Sequence, residues 1–165
     1  MNATRIEPEE LTTDGWRPFG WLPVPDTDPA DGEERLAFDW GNVHVNLLGH
    51  DLDEVPIVPG GLRCQVLFRH ATHTQTLMAM DHSAVIVVAP AGADPRSPAG
   101  SASIRAFALP VLCPVVLHRG TWHWGPYPVG SNSVRLFNVQ GLRYREDNDS
   151  VDLLTAGSPV DVVLG

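Results

Sequence analysis

The chain has 165 residues, 43% of them hydrophobic, with 15 glycines and 15 prolines, which is enough for one core and short for two, so a single domain over 1–165 is expected. Its net charge is -9 and its pI about 5.0, and eleven scattered basic residues do not make the clustered cationic surface that a nucleic-acid backbone requires. The opening MNATRIEPEEL lacks the basic and apolar regions of a signal peptide, and the longest apolar run, AVIVVAPAGA from Ala84, is broken by proline and too short to span a bilayer, so the chain reads as cytoplasmic, with neither nucleic acid nor membrane as partner.

In chain order, EPEELTTDGWRPFG (Glu7 to Gly20) carries the best helix signal. Pro8 suits an N-terminal helical position, Glu9 and Glu10 suit a first turn, and Gly15 ends it; one or two turns docked by Trp16 and Phe19 are predicted. VPDTDPADGEE (24–34) is rich in proline and aspartate and reads as a mobile surface loop, and AGADPRSPAGSAS (91–103) reads as a second surface loop. Eight runs of β-branched or alternating character follow: 42–48, 63–70, 73–80, 84–90, 103–109, 115–120, 133–140 and 150–154. Eight short strands in a small chain point to a sandwich or barrel. Cys64 and Cys113 form no CxxC pair and read as small buried hydrophobes in a reducing compartment.

HRGTWHWGPYPVG (His118 to Gly130) places two histidines five apart. On an unbroken strand they face opposite sides, so both enter one cavity only if a turn at Gly120 resets the alternation; otherwise His123 is a structural histidine bonded beneath Trp122. Arg105, in the apolar strand SIRAFAL, either faces water, pairs internally or clamps a carboxylate. His73 shares strand parity with Gln75 but reads as a histidine near solvent, and His82, between two runs, reads as a hairpin residue. His44 and His50 have no partner legible in the sequence.

These segments together resemble the ureidoglycolate lyase family, bacterial enzymes once called ureidoglycolate hydrolases. SIRAFAL, VVLHRGTWHW, SVRLFNVQ and SVDLL are similar to the family's Arg-Ala-Phe, Tyr-His, Trp-His-His and following strands, FRHATHTQTLMAMDHSAVIVVAP to its Glu-Arg-His-Pro, Ser-Gln-Ala-Phe and valine-rich strand, and IEPEELTTDGWRPFG to its start. Arg69, His70, Gln75, Arg105, Ala106, Phe107, His118, Trp122 and His123 match. Phe68 stands for a glutamate, Cys113 for a glutamine, Leu117 for a tyrosine, Trp124 for the second histidine and Arg135 for an aspartate. The resemblance implies an all-β, cupin-like double-stranded β-helix (a jelly-roll barrel) with a short N-terminal helical segment, and a homodimer.

It also implies C–N cleavage of a small carbinolamide acid, ureidoglycolate, to glyoxylate and urea, a step of purine and allantoin catabolism. His123 is then the base, His118 or His70 the acid, and Arg105 the carboxylate anchor, with Arg135, Trp122, Trp124 and Phe68 lining a site for a carboxylate-bearing small molecule. By analogy with cupins, His70, Gln75, His118 and His123 are candidate ligands for a divalent nickel, iron or zinc ion. The apolar exchanges leave two alternatives open: a diverged lyase, isomerase, cyclase or metal-dependent oxygenase for a larger, less polar substrate, and a binding protein without catalysis.

Overall fold

The computed structural model describes residues 3–26, 34–40 and 42–165. Along it run β1 (Thr4–Ile6), β2 (Pro8–Glu9), α1 (Thr13–Trp16), β3 (Gly20–Trp21), β4 (Val43–Asp51), β5 (Ile57–Val58), β6 (Gly61–Cys64), β7 (Val66–Arg69), β8 (Gln75–Ala79), β9 (Ala84–Ala89), α2 (Pro98–Ser101), β10 (Arg105–Leu109), β11 (Val115–Leu117), β12 (Trp122–Pro128), β13 (Ser133–Gly141), β14 (Asp149–Asp152) and β15 (Val160–Val163). The strands form a six-stranded sheet in the order β14-β7-β12-β9-β10-β2, a five-stranded sheet β3-β11-β8-β13-β4, and a smaller four-stranded sheet β1-β15-β6-β5. This is the expected all-β, cupin-like architecture, with helix among the described residues confined to two short α-helical turns and one 3-10 turn at Leu52–Glu54.

Strand β9 explains why AVIVVA is apolar at every position. It lies inside the six-stranded sheet, and all six residues are buried. Val85 and Val87 project into one core with Leu62, Cys64, Leu67, Trp122 and Trp124, toward the four-stranded sheet. Ile86 and Val88 project the other way, into a core with Leu77, Phe107, Leu117, Val134 and Leu136, toward the five-stranded sheet. A strand covered on both faces loses the alternation that marks a half-exposed one.

The amino-terminal segment corrects one expectation. Pro8 and Glu9 are extended and pair in parallel with Ala106 and Phe107 of β10, and the helix begins only after Thr12, whose hydroxyl accepts from the Gly15 N–H at 3.1 Å. Proline tolerates a sheet edge as readily as a helix start, and the Thr12 cap decides where the turn forms. The predicted docking holds: Trp16 and Phe19 are buried beside Phe107, with Trp16 and Phe107 in an edge-to-face contact at 5.2 Å.

The predicted loops differ in kind. Of 24–34, residues 27–33 lie outside the described residues, and Val24, Pro25, Asp26 and Glu34 are exposed. The 91–103 segment holds helix α2, capped by the Ser97 hydroxyl on the Gly100 N–H, with Pro95 and Gly100 buried. His82 connects β8 to β9, strands of different sheets, and is therefore not a hairpin residue. Cys64 is buried as expected, whereas Cys113 is half-buried. No helix among the described residues is long and apolar enough to cross a membrane.

Candidate functional site

The site grows out of a change of composition along the inner face of the five-stranded sheet. Alternate residues of β13 face inward as Val134, Leu136, Asn138 and Gln140, and those of β8 as Ala79, Leu77 and Gln75. Each row is apolar at one end and amide at the other. Gln75 donates through Nε2 to Asn138 Oδ1 at 2.8 Å, and Asn138 donates through Nδ2 to Asn46 Oδ1 on β4 at 2.7 Å. Gln140 Oε1 lies 3.4 Å from the same Gln75 nitrogen. This directed chain leaves Gln75 Oε1 buried and without a partner among the described residues.

Three histidines gather at the same polar end. The rings of His70 and His73 are stacked, with centroids 4.7 Å apart and planes 19° apart, and His123 lies 5.4 Å from His70. Two of the rings are pinned through Nδ1 by backbone carbonyls. His70 Nδ1 is 2.9 Å from the carbonyl of Asp147, and His123 Nδ1 is 3.1 Å from that of Thr121. A carbonyl only accepts, so both rings carry their proton on Nδ1 and keep Nε2 as the basic nitrogen. His73 Nδ1 lies 3.5 Å from the Thr72 hydroxyl oxygen and 3.6 Å from Asp147 Oδ2, and since that hydroxyl already donates to the carboxylate, both oxygens face the ring as acceptors and its proton sits on Nδ1. Its Nε2 is buried with no partner among the described residues.

Asp147 organises the corner where these rings meet. Its carboxylate accepts from the Ala71 N–H at 3.1 Å, the Thr72 N–H at 2.7 Å and the Thr72 hydroxyl. Burial alone raises the pKa of this acid, but those hydrogen bonds prevail and hold it below the ordinary carboxylate value. Burial lowers all three imidazoles. His70 falls below its usual range despite its bond to Asp147. His73 falls to about 4, with the His70 charge adding to burial, and His123 falls to about 3 for the same two reasons. At neutral pH the cluster is three neutral bases.

Several residues expected at the site are here and several are elsewhere. His70, Gln75 and His123 come together. Phe68 is opposite His123 in the β7–β12 pairing and shares its face, and Leu117 is opposite Gln75. His118 is half-buried against Trp21 at 5.5 Å, beyond the end of β11. The turn at Gly120, with φ 75°, does reset the chain as anticipated, but it does so by passing from one sheet to the other. Trp122 and Trp124 face the opposite core, Trp122 beneath the Arg69 guanidinium at 4.4 Å. Arg135 is on the outer face and pairs with Asp81 at 2.9 Å. Arg105 stands in one cross-strand row with Val88 and His123, two strands away, and its side chain is engaged by Glu9 and by the Gly15 carbonyl at 3.3 Å.

His73, read from sequence as near solvent, is 2% exposed and central to the cluster. It makes an isolated bridge with Phe38, whose ring stacks on it at 6.4 Å. Asp147, Asn46, Asn138 and Gln140 were not anticipated either. The last two carry a legible signal, since they are amides on the inward parity of an otherwise apolar strand.

The donor set does not fit a metal ion. Among the described residues no group of three or more His, Cys, Asp and Glu side chains is arranged to hold one. His118, one of the four expected ligands, lies apart from the others. Stacked rings such as those of His70 and His73 direct their in-plane lone pairs along separate planes, whereas one ion at about 2.0–2.1 Å from each nitrogen needs both to converge.

A family model described as ureidoglycolate lyase matches residues 30–162, which takes in β4 to β14 and most of β15. No curated protein matches.

Proposed function

The chain belongs to the ureidoglycolate lyase family, and from that premise we propose that it is a lyase cleaving the C–N bond of a small carbinolamide acid of the ureidoglycolate type, giving glyoxylate and urea. The observation that carries this reading is the pair of buried acceptors that have no partner among the described residues, His73 Nε2 and Gln75 Oε1. A buried acceptor left unpaired costs about 1–3 kcal/mol, and two in one cluster suit a ligand that brings N–H donors. A ureido group supplies them.

The chemistry needs a base at the substrate hydroxyl and a proton for the departing nitrogen. His123 serves both needs. Its Nδ1–H is held by the Thr121 carbonyl, so Nε2 takes the hydroxyl proton; as the carbonyl of glyoxylate forms, the electron pair of the C–N bond leaves with the urea nitrogen. The imidazolium then returns its proton to that nitrogen. A ring whose pKa is lowered to about 3 is a weak base but a strong conjugate acid, which favours the second transfer. His70 beside it, also neutral and with its proton on Nδ1, has none to give from Nε2, so a single residue takes and returns the proton.

The alternative of a larger, less polar substrate rests on Phe68, Leu117 and Trp124. Trp124 faces the other core, which leaves two apolar neighbours beside a row of amides. The deciding experiment is glyoxylate release from ureidoglycolate by the purified protein, expected for the native chain and lost in His123→Ala with the circular dichroism unchanged. A folded native protein that releases none removes this reading.

A further inference from the structure

A ureidoglycolate-type substrate carries a carboxylate, and this chain contains no lysine: all eleven of its basic residues are arginines. The side chains that carry a permanent positive charge to meet that carboxylate are therefore all arginines. Arg69 adjoins His70 in sequence but has the opposite strand parity, stacks on Trp122 and pairs with Asp149 at 2.9 Å. Arg143 pairs with Glu146 and lies over Trp40.

Arg119 is placed differently. It occupies the second position of the turn His118 to Thr121, closed by the Thr121 N–H on the His118 carbonyl at 3.2 Å. The following residue, Gly120, donates its N–H to the backbone carbonyl of His70 at 2.7 Å, so the turn is fastened directly to the histidine cluster. The Arg119 guanidinium meets the Asp39 carboxylate at 2.5 Å, with both side chains partly open to solvent. Asp39 is in turn fixed beside the cluster, because its N–H bonds the Thr72 carbonyl at 2.9 Å and its neighbour Phe38 bridges His73. Arg119 is thus a cation at the rim, held by a carboxylate that a ligand's own carboxylate can replace like for like.

We propose that Arg119 is the carboxylate anchor of the site, with Asp39 occupying it until an anionic ligand arrives. The placement rests on the lyase reading for its substrate class but on the turn and the ion pair for its geometry. Consistent with it, Arg119 is the one arginine whose charge contributes to lowering the pKa of His73. The guanidinium fork matches two carboxylate oxygens at once, a match that an ammonium group cannot reproduce.

The test compares native protein, Arg119→Gln, Arg119→Lys and Arg105→Gln in two measurements: steady-state kinetics with ureidoglycolate, and binding of glyoxylate by titration. Arg119→Gln is expected to raise KM and weaken glyoxylate binding by about 10- to 100-fold, with kcat changed less. Arg119→Lys is expected to recover part of the binding. Thermal unfolding without ligand separates this from a general loss of structure, and a binding loss fully matched by unfolding counts against the anchor. Turnover with KM unchanged in Arg119→Gln, or the loss appearing in Arg105→Gln instead, overturns the assignment and leaves the lyase reading intact. Arg119-dependent glyoxylate binding without turnover upholds the anchor and removes the reaction. If glyoxylate does not bind the native chain and nothing turns over, both fall.

Discussion

His70 and His73 stack with their rings 4.7 Å apart, so neither takes a proton without placing a charge against its neighbour. Burial lowers both, and lowers His123 as well. An unfolded histidine titrates near 6.5. Between that value and about 4 the unfolded chain binds more protons than the folded one, so stability is complete above pH 6.5 and declines as the pH falls through this window. Urea midpoints are expected to fall steadily from pH 6.5 to 4, and to fall less steeply in His123→Gln. Carboxylates held below their ordinary values, such as Asp147 and Asp161, act mainly below about pH 4, which separates the two contributions. A flat profile between pH 6.5 and 4 contradicts the assigned neutral cluster.

Catalysis follows a different pH course from stability if His123 is the base. With its folded value near 3, it is already unprotonated at pH 5, where an ordinary histidine is almost wholly charged. The expectation is a kcat/KM that stays level from pH 7.5 down to 5, measured in short assays before unfolding intervenes. An inflection near 6.5 assigns the base to a more exposed group.

Gly141 ends β13 directly against the cluster. A Cβ there meets His73 Nδ1 at 2.7 Å and Cγ at 3.0 Å. His73 has nowhere to move, being stacked between Phe38 and His70. Gly141→Ala is expected to cost about 1–3 kcal/mol by overpacking and to shift the NMR resonances of His73. At Gly49, across the same sheet pair, a Cβ meets nothing within 4 Å; Gly49→Ala is the control and is expected within about 0.5 kcal/mol of native. Equal effects at the two positions refute the contact.

How much of this was legible in sequence follows from what strand periodicity encodes. It records which residues share a face, so β4, β8, β9, β10 and β13 emerge close to their true bounds, and the amides Gln75, Asn138 and Gln140 stand out on inward parity. It does not record what covers a face. Trp122 and Trp124 read equally as packing or as the lining of a ligand site, and their alternation with His123 points them into the other core. Nor does it reach residues between strands: His73, Asp147 and Arg119 come together through loops closed by hydrogen bonds to Thr72 and His70. Short strands such as β3 and β5, two residues each, have no period to detect. The break at Gln65 between β6 and β7, which sends two halves of one apolar run into separate sheets, is likewise hidden.

The amino-terminal segment is held to the sheet mainly by aromatic packing. Trp16 is fully buried, with its Nε1–H on the Val116 carbonyl at 3.0 Å. The Arg105–Glu9 pair beside it is partly open to solvent, and pairs of this kind contribute about 0–1 kcal/mol. Trp16→Ala is therefore expected to cost about 3–5 kcal/mol and Glu9→Gln less than about 1 kcal/mol, read as urea midpoints. If Glu9→Gln matches the tryptophan loss, the ion pair is the main anchor and the packing account is wrong.

Asn138 is the joint of the amide chain, accepting from Gln75 and donating to Asn46, and it is completely buried. Asn138→Asp keeps the shape and removes the donor, so a carboxylate oxygen faces Asn46 Oδ1 where an N–H stood. Burial disfavours the charged form and raises the folded pKa of the new acid above its unfolded value near 3.9. The sign is then opposite to that of the histidines: the loss relative to native is smallest at low pH, where the protonated acid can donate to Asn46, and grows as the pH rises through the folded pKa. A difference in midpoint between Asn138→Asp and native protein that widens from pH 4 to 7 is expected. A difference independent of pH means that the residue at 138 reaches water and that the amide chain is not the buried joint described.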